Sequence, residues 1–467
     1  MILKIVLLLL LFGRPTFAAL PAPVAAALTS AGIPSHHASL WVEDLDSGRV
    51  LAEHQATLPL NPASVMKLLT TTAALDRLGP GYRFLTRAFT ATLPQDKTSS
   101  QTLYLQGGGD PKLTWEDLKS LLTQVRDLGV RDLDGGLVVD RHRFAEIPFD
   151  PGAFDGDALA PYNAGADALL VNFNAIEIRL SPNKGLGDPV AVTLVPVLDN
   201  LQPISQVRGV RGACGDWPVR LELSPARPGL PRRALLTGSY PITCGPRSWY
   251  RAPLPPRDYL AGLVRALWKD LGGTLKGLIR EGTVPPQAIP AVTWPSRPLS
   301  ELVTDINKFS NNVMARQVFL ELAATPGPAT PQRAEQVIRA WLKDQNIPAP
   351  ECHIENGAGL SRSDRLSAQT LGHLLKMAWH KPWRAALVDS LPVVGQDGTL
   401  KRRLKNQGIA GQAQLKTGTL ADVKAVAGYA RAASGHPYLL AFLIQDEQAP
   451  QGRAAQDALL RWLYDNG

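Results

Sequence analysis

Three short polar motifs lie far apart in this chain, and their spacing constrains the fold more than any other feature. The motifs are Ser64-Val65-Met66-Lys67, Ser310-Asn311-Asn312 and Lys416-Thr417-Gly418. Each one occurs by chance in many proteins, but the ordered set predicts that three distant segments meet in one place. About 240 residues separate the first motif from the second, far more than a loop can hold. The chain must therefore accommodate at least one large inserted domain.

Elements predicted near the two ends of the chain suggest a domain that uses both ends. Strands are predicted at 39–44, 49–54, 414–420, 422–430 and 437–444. A helix follows the prolines of 59–62, with Ser64 in its first turn and Lys67 three residues on, on the same face. A closing helix is predicted at 454–464. We expect the fold class α/β (α+β), an antiparallel sheet covered by helices.

The stretch between the first two motifs is predicted to be mainly β. It has short β-like runs at 102–105, 190–195 and 219–223, separated by Gly and Pro. We expect two extra domains here. The expected division is a catalytic domain at 19–82 and 295–467, an inserted domain at 83–166 and 264–294, and a nested mainly-β domain at 167–263.

The residue types in the motifs suit nucleophilic catalysis. A serine hydroxyl is a weak nucleophile near neutral pH and needs an adjacent base, and Lys67 is the candidate base for Ser64. Burial and a second nearby cation, Lys416, would lower the pKa of Lys67 and leave its amine neutral. The alternatives are a helix start followed by a solvated lysine at Ser64 and Lys67, and ordinary turn chemistry at Ser310.

The motif set resembles that of serine acyl-transferases that cleave D-alanyl peptides and are acylated by penicillin. With the large insertion, the chain resembles the class C low-molecular-mass penicillin-binding proteins, the D-Ala-D-Ala carboxypeptidase/endopeptidase family S13. Further stretches carry the resemblance, which runs from about residue 22 to the end: Gly107 to Pro111, Tyr162 to Ala164, Asn172 to Asn174, Asn356 to Arg362 and Gly395 to Leu400.

The resemblance implies a role for each residue of the motifs. Ser64 would form the acyl-enzyme, Ser310 would relay a proton to the leaving amine, and Asn312 would hold Lys67 and the substrate. The substrate carboxylate is expected near Thr417 or Thr419 and a cation, for which the candidate is Arg362, while Gly418 leaves room for substrate backbone. The N–H groups of Ser64 and Thr419 would form the oxyanion hole.

The resemblance also implies a second contact with substrate, made by the insertion. Asp157 would pair with the free amine of diaminopimelate, and Tyr162 occupies an aromatic position beside it. The alternative is that Asp157 is one of several acids on a solvated loop.

The N-terminal residues predict export. Lys4 precedes the apolar run 5–12, and small residues lead to an expected cleavage after Ala18. The alternative is an uncleaved anchor, but the apolar run falls well short of the ~20 residues that span a bilayer. We expect an exported, periplasmic protein with at most peripheral membrane contact. In that compartment a Cys214–Cys244 disulfide is permitted, and the alternative is three unpaired thiols.

The expected function is that of a serine D-Ala-D-Ala carboxypeptidase, and of a D,D-endopeptidase as well. Its partners would be peptidoglycan stem peptides and β-lactams. No metal-binding spacing or basic and aromatic nucleic-acid surface is present, so we expect no cofactor, metal or nucleic acid. The alternatives are a β-lactamase-like hydrolase, although no E-x-x-[LM]-N motif occurs, and an inactive wall-binding protein.

Overall fold

The computed structural model describes residues 20–92, 99–183, 185–224 and 232–467. The expected signal sequence at 1–18 lies outside the described residues. The helices are α1 (Ala22–Ser30), α2 (Met66–Leu78), α3 (Trp115–Asp127), α4 (Pro256–Asp270), α5 (Leu299–Phe309), α6 (Asn312–Glu321), α7 (Pro331–Asp344), α8 (Ala368–Trp379), α9 (Arg384–Ser390) and α10 (Arg453–Asn466). Among the described residues, no helix combines the length and apolar character needed to cross a membrane.

The strands fall into a group near the two ends of the chain and a group inside the insertion. They are β1 (Ala38–Asp44), β2 (Val50–His54), β3 (Leu85–Thr90), β4 (Ser99–Ser100), β5 (Leu103–Gln106), β6 (Val130–Asp132), β7 (Leu137–Asp140), β8 (Ile176–Ser181), β9 (Ala191–Val195), β10 (Leu201–Ser205), β11 (Arg208–Val210), β12 (Leu221–Leu223), β13 (Arg232–Pro241), β14 (Arg247–Arg251), β15 (Ile279–Glu281), β16 (Ile289–Pro295), β17 (Ala413–Leu420), β18 (Val423–Arg431) and β19 (Pro437–Gln445).

The first group forms one antiparallel sheet with the order β17-β18-β19-β1-β2. Side chains alternate between its two faces, as a pleated strand requires. Ala425 and Ala427 of β18 pack with α2, α5 and α8, whereas Val426 packs on the other face with α1 and α10. The sheet therefore lies between two helical layers, and the fold class expected from the sequence is confirmed.

Helix α2 is enclosed more completely than its sequence suggests. The apolar residues of the sequence predict one buried face, but every residue from Met66 to Leu75 is buried. A helix that is buried on all sides lies in the centre of a domain. In this position α2 is surrounded by α5, α6, α7, α8 and α9, and Lys67 is removed from solvent.

The insertion leaves and re-enters the first domain through two neighbouring strands. Strands β3 and β16 pair antiparallel with Leu85 opposite Pro295, in a sheet with the order β15-β7-β5-β3-β16. Three further sheets, β14-β8-β9, β10-β13-β11 with β12, and the two-stranded β4-β6, complete the described part of the insertion. Cys214 and Cys244 form a disulfide there, which is the pair expected from the sequence.

Two details of the expected insertion differ from the structure. The boundary between 263 and 264 would cut α4, whose Trp268 donates to the carbonyl oxygen of Arg131 beside the β3-containing sheet. The β-like run at 219–223 is a strand only at β12, because Trp217–Arg220 forms a 3-10 turn. We retain two inserted domains as a proposal, with α4 kept whole; their apolar side chains form one continuous cluster.

Candidate active site

Ser64 lies in a 3-10 turn, Ala63–Val65, directly before α2. The sequence predicted Ser64 in the first turn of the α-helix, but the α-helix begins only at Met66. Ala63 has a positive φ of 45°, which is costly for a residue with a Cβ. The buried Asn61 supports this conformation, because its Oδ1 accepts from the N–H of Ala63 at 2.8 Å and its Nδ2 donates to the carbonyl of Ser361 at 2.8 Å.

Lys67 is fully buried, and its amine contacts three polar groups. Nζ lies 2.9 Å from Ser64 Oγ, 2.7 Å from Asn312 Oδ1 and 2.6 Å from the carbonyl oxygen of Ala358. These contacts join the first motif, the second motif and the segment 356–362. They fix the amine against the serine hydroxyl, which is the geometry that a general base for that hydroxyl needs.

Electrostatics favour the neutral form of this amine. The pKa of Lys67 is held well below its ordinary value, first by burial and then by the positive charges of Lys416 and Arg316, while Asp364 acts in the opposite direction. A buried amine with cations nearby loses its proton readily. Lys67 can therefore accept a proton from Ser64 in a pH range where a solvated lysine could not.

The second motif forms the junction between α5 and α6. Ser310 ends α5 in the left-handed conformation, with φ 56° and ψ 39°. Asn311 then caps α6, because its Oδ1 accepts from the N–H of Met314 at 3.0 Å, as polar residues at this position commonly do. The abrupt change of direction brings Ser310 and Asn312 to the same site, whereas the side chain of Asn311 is used for the cap.

Lys416 connects the third motif to the second. It is fully buried, and its Nζ donates to Ser310 Oγ and to the carbonyl of Thr417, both at 2.8 Å. Burial lowers its pKa to about 7. Hydrogen bonds thus join Ser64, Lys67 and Asn312 in one group and Ser310 and Lys416 in a second. The charge of Lys416 acts on Lys67 between the two groups, so the three motifs meet as their order predicts.

Gly418 allows the edge strand β17 to approach the turn that carries Ser64. A Cβ at this position would lie 2.6 Å from the carbonyl oxygen of Pro62 and 3.1 Å from the backbone nitrogen of Ser64. Any side chain would therefore collide with backbone. The close approach of β17 to the backbone of Pro62 and Ser64 therefore requires glycine at this position of the third motif. The same approach brings the backbone of Ser64 close to the end of β17.

The remaining residues expected near the substrate carboxylate lie at the exposed side of β17. Thr417 Oγ1 is 3.0 Å from Thr399 Oγ1, and Thr419 Oγ1 accepts from Lys424 Nζ at 3.1 Å. The guanidinium of Arg362 lies 4.5 Å from the ring of Phe154 and 3.5 Å from Asp422 Oδ1. Arg362 is therefore in contact with both an aromatic ring and an acid.

Asp157 is not a free carboxylate. Arg251 donates to both of its oxygens, at 2.6 and 2.9 Å, and the guanidinium also packs over Trp249. Tyr162 donates from its hydroxyl to Asp155 rather than to Asp157, at 2.8 Å, and burial together with Asp155 raises its pKa to about 12. Asp157 and Tyr162 share a loop, but in the structure each has its own internal partner.

Arg316 fixes this loop against the helix that begins at Asn312. It is buried in α6 and donates to the carbonyl of Tyr162 at 3.1 Å and to that of Ala164 at 2.7 Å. Sequence reasoning missed Arg316, Asn61 and Lys424. The dipeptide Asn61-Pro62 was a usable signal, since Asn-Pro favours turn initiation, whereas the other two carry no local signal.

The chain matches a known protein family along nearly its whole length. The profile described as the D-Ala-D-Ala carboxypeptidase 3 (S13) family matches residues 20–466. The chain is 30% identical over 440 residues to a D-alanyl-D-alanine carboxypeptidase of Actinomadura sp. (strain R39), covering 90% of this chain and 79% of that protein. It is 24% identical over 397 residues to D-alanyl-D-alanine carboxypeptidase DacB of Haemophilus influenzae, covering 84% and 82% of the two chains.

Solved structures share the fold, including the insertion. Penicillin binding protein 4 of Haemophilus influenzae superposes with a TM-score of 0.80 at 23% identity, covering 95% of this chain and 99% of that chain. A variant form of the Bd3459 predatory endopeptidase of Bdellovibrio bacteriovorus gives a TM-score of 0.54 at 14% identity, with 92% of both chains covered. At these identities the similarity establishes the architecture.

Proposed function

We propose that catalysis by this chain begins with attack by Ser64. The chain belongs to the D-Ala-D-Ala carboxypeptidase 3 (S13) family and is a serine-type D-Ala-D-Ala carboxypeptidase. The contact of Lys67 Nζ with Ser64 Oγ at 2.9 Å, with Asn312 fixing the same amine, carries this proposal. A positioned amine of lowered pKa is how a weak hydroxyl nucleophile is activated.

In the proposed acylation, neutral Lys67 accepts the proton of Ser64 as Oγ attacks the carbonyl carbon of the penultimate D-Ala. The N–H groups of Ser64 and Thr419 stabilise the negative oxygen that develops, which is worth several kcal/mol in acyl-transfer enzymes. The C–N bond then breaks. Ser310, which accepts a hydrogen bond from Lys416, relays the proton that Lys67 took from Ser64 to the leaving amine, so that Lys67 is neutral again and free D-Ala departs.

In the proposed deacylation, a water molecule attacks the ester that Ser64 forms with the shortened peptide. Neutral Lys67, whose Nζ lies 2.9 Å from Ser64 Oγ, takes one proton from that water, the ester C–O bond breaks, and Lys67 returns the proton to Ser64 Oγ. β-Lactams imitate the acyl-D-Ala-D-Ala group, so we also propose that penicillin acylates Ser64. Slow hydrolysis of that adduct separates this function from that of a β-lactamase.

We further propose that the protein is exported to the periplasm, that it acts there on the stem peptides of peptidoglycan, and that it cleaves cross-linked peptides as well. In a cross-link between D-Ala and diaminopimelate, the leaving amine is again adjacent to a carboxylate, so the requirements on the site are the same. The shared fold with a predatory endopeptidase supports this second activity. Under this proposal, Asp157 and Tyr162 face the diaminopimelate side chain, and Thr417, Thr419 and Arg362 face the terminal carboxylate.

Labelling with a fluorescent penicillin tests the assignment of Ser64. We expect one stable adduct on the peptide that contains Ser64, and no adduct in Ser64→Ala. The exposed Ser363 supplies the matched control, since Ser363→Ala should label normally. An adduct on another residue, or full labelling of Ser64→Ala, would overturn the assignment. Digestion of purified monomeric and cross-linked muropeptides then measures the two peptidase activities separately.

A further inference from the structure

Lys424 places an ammonium group beside the strand that is proposed to bind substrate. It lies on β18 directly opposite Thr419 of β17 in the antiparallel register. Its Nζ donates to Thr419 Oγ1 at 3.1 Å. Thr419 is exposed and Lys424 is half-buried, and the side chains of two directly opposed residues lie on the same face of a sheet.

The charges around Lys424 are of its own sign. Burial lowers its pKa, and the positive charges of Arg403 and Arg453 lower it further. The carboxylate of Asp457 is paired with these two arginines, because Arg403 Nε donates to it at 2.5 Å and Arg453 lies 3.8 Å from its other oxygen. In the part of the chain that the structure describes, Lys424 has no carboxylate partner.

An unpaired, half-buried cation among other cations is costly, and a bound anion would offset that cost. Arg362, the cation expected from the sequence, differs in this respect. It already lies 3.5 Å from Asp422 and is covered on one side by Phe154. Lys424 is therefore the better-placed cation for an anion arriving at Thr419.

We infer that Lys424, in place of Arg362, supplies the positive charge at the subsite that the proposed function gives to the C-terminal carboxylate beside Thr419. This inference rests on the proposed function. Because Thr419 Oγ1 accepts from Lys424, its own proton is directed elsewhere and can be donated to a carboxylate oxygen. The ammonium then stabilises the same anion through its charge. Thr419 thus contributes a side-chain donor in addition to the proposed backbone N–H of the oxyanion hole.

Paired substrates that differ only in this charge test the subsite. The two are a peptide ending in D-Ala-D-Ala with a free carboxylate and the same peptide with a C-terminal amide. In Lys424→Met we expect kcat/KM for the acid to fall about 10- to 100-fold, the effect of losing a charge-assisted hydrogen bond. The amide should change less than about twofold, because it carries no charge for Lys424 to stabilise.

Three variants control for general effects of charge and folding. Lys424→Arg should keep the preference for the acid, since it keeps the cation. Lys401→Met removes an exposed lysine from the segment that follows Thr399 and should leave the preference unchanged. Thr419→Val should lower it, and the double variant with Lys424→Met should lose less than the sum of the two single losses.

The inference and the proposed function fail in different ways. The carboxylate subsite would be overturned by any of three results: equal losses on acid and amide in Lys424→Met, an unchanged preference in that variant, or a loss of preference in Arg362→Met alone. In each case wild-type turnover would still depend on Ser64. Turnover that survives in Ser64→Ala would instead overturn the proposed function, and the carboxylate subsite with it.

Discussion

The two lysines of the site are both fully buried, and each lies against the hydroxyl of a different serine. Burial is the first cause of the lowered pKa of each one, and the charge of Lys416 is the next cause for Lys67. The order of deprotonation follows from this arrangement. Lys416 holds its proton up to about pH 7, and its charge helps Lys67 to lose its own proton first.

The rate of acylation by penicillin should therefore have a bell-shaped pH dependence. It should rise as Lys67 becomes neutral and fall as pH passes about 7, where Lys416 loses its charge. The two amines interact, so the measured values belong to the pair. In Lys416→Arg, whose guanidinium keeps its charge, the descending limb should disappear. A fall near pH 7 that persists in this variant, measured by stopped-flow acylation, would contradict the assignment.

The same burial makes Lys416 costly for the fold at low pH. Its pKa in the folded protein, about 7, lies below its ordinary value of 10.5. The unfolded chain therefore binds more protons between these values, and stability should rise with pH across that window. A pKa difference of one between the folded and unfolded states corresponds to ~1.4 kcal/mol. The free energy of unfolding should therefore rise by roughly 4–5 kcal/mol between these two pKa values because of Lys416.

Lys416→Met should remove the part of this dependence that Lys416 contributes, while Lys67, whose pKa is also lowered by burial, keeps its own part. At pH 6 we expect its free energy of unfolding to exceed that of the wild type by about 1–4 kcal/mol, the range for replacing buried charge with apolar groups. The two lost hydrogen bonds, to Ser310 and Thr417, reduce the gain. Urea unfolding at pH 6, 8 and 10 measures it. A wild-type stability that is flat from pH 7 to 10 would contradict the buried charge.

At the scale of elements, the regular parts of the fold were predictable and the turns that carry the chemistry were only partly so. The strands at 414–420, 422–430 and 437–444 were found within one residue at each end because period-two alternation and flanking turn residues mark them. The 3-10 turn at Ser64 was missed. It depends on Ala63 at positive φ, held by Asn61, and alanine is not a residue that signals this conformation.

Gly418 is the position where element packing most directly controls the site. Gly418→Ala should lower acylation by penicillin at least about 100-fold, because a Cβ 2.6 Å from the carbonyl oxygen of Pro62 forces β17 away from Ser64. Gly81→Ala is the matched control. A Cβ there meets nothing within 4 Å, so activity should be unchanged. Normal acylation in Gly418→Ala would show that the strand does not need this close approach.

At the scale of the whole molecule, the insertion is attached to the catalytic sheet at two kinds of contact. One is the chain itself, which leaves and returns through β3 and β16, two strands paired by backbone hydrogen bonds. The other is formed by side chains: Arg316 holds the loop of Tyr162 against α6, and Phe154 covers Arg362. Arg251 lies 94 residues from Asp157 in sequence, and nothing local to either residue indicates that they pair. Contacts of this kind depend on the assembled fold and were beyond sequence reasoning.

The pair formed by Asp157 and Arg251 should govern how the insertion affects substrate choice. If an amine of diaminopimelate binds Asp157, it must compete with the guanidinium that already occupies both carboxylate oxygens. Asp157→Ala should therefore lower kcat/KM for a peptide with the free amine about 10-fold relative to the same peptide acetylated on that amine. Arg251→Gln should raise the same ratio, because it frees the carboxylate.

Penicillin acylation should stay unchanged in both variants, since penicillin carries no such amine. Asp150→Asn, on the same loop, is the matched control, because the amide retains an oxygen to accept from the N–H of Gly152. Equal losses on peptide and penicillin would mean that the pair supports the fold. Ratios unchanged in both variants would mean that Asp157 serves only to hold Arg251, and that the amine is bound elsewhere. Opposite shifts in the two variants are the result that only competition for one carboxylate produces.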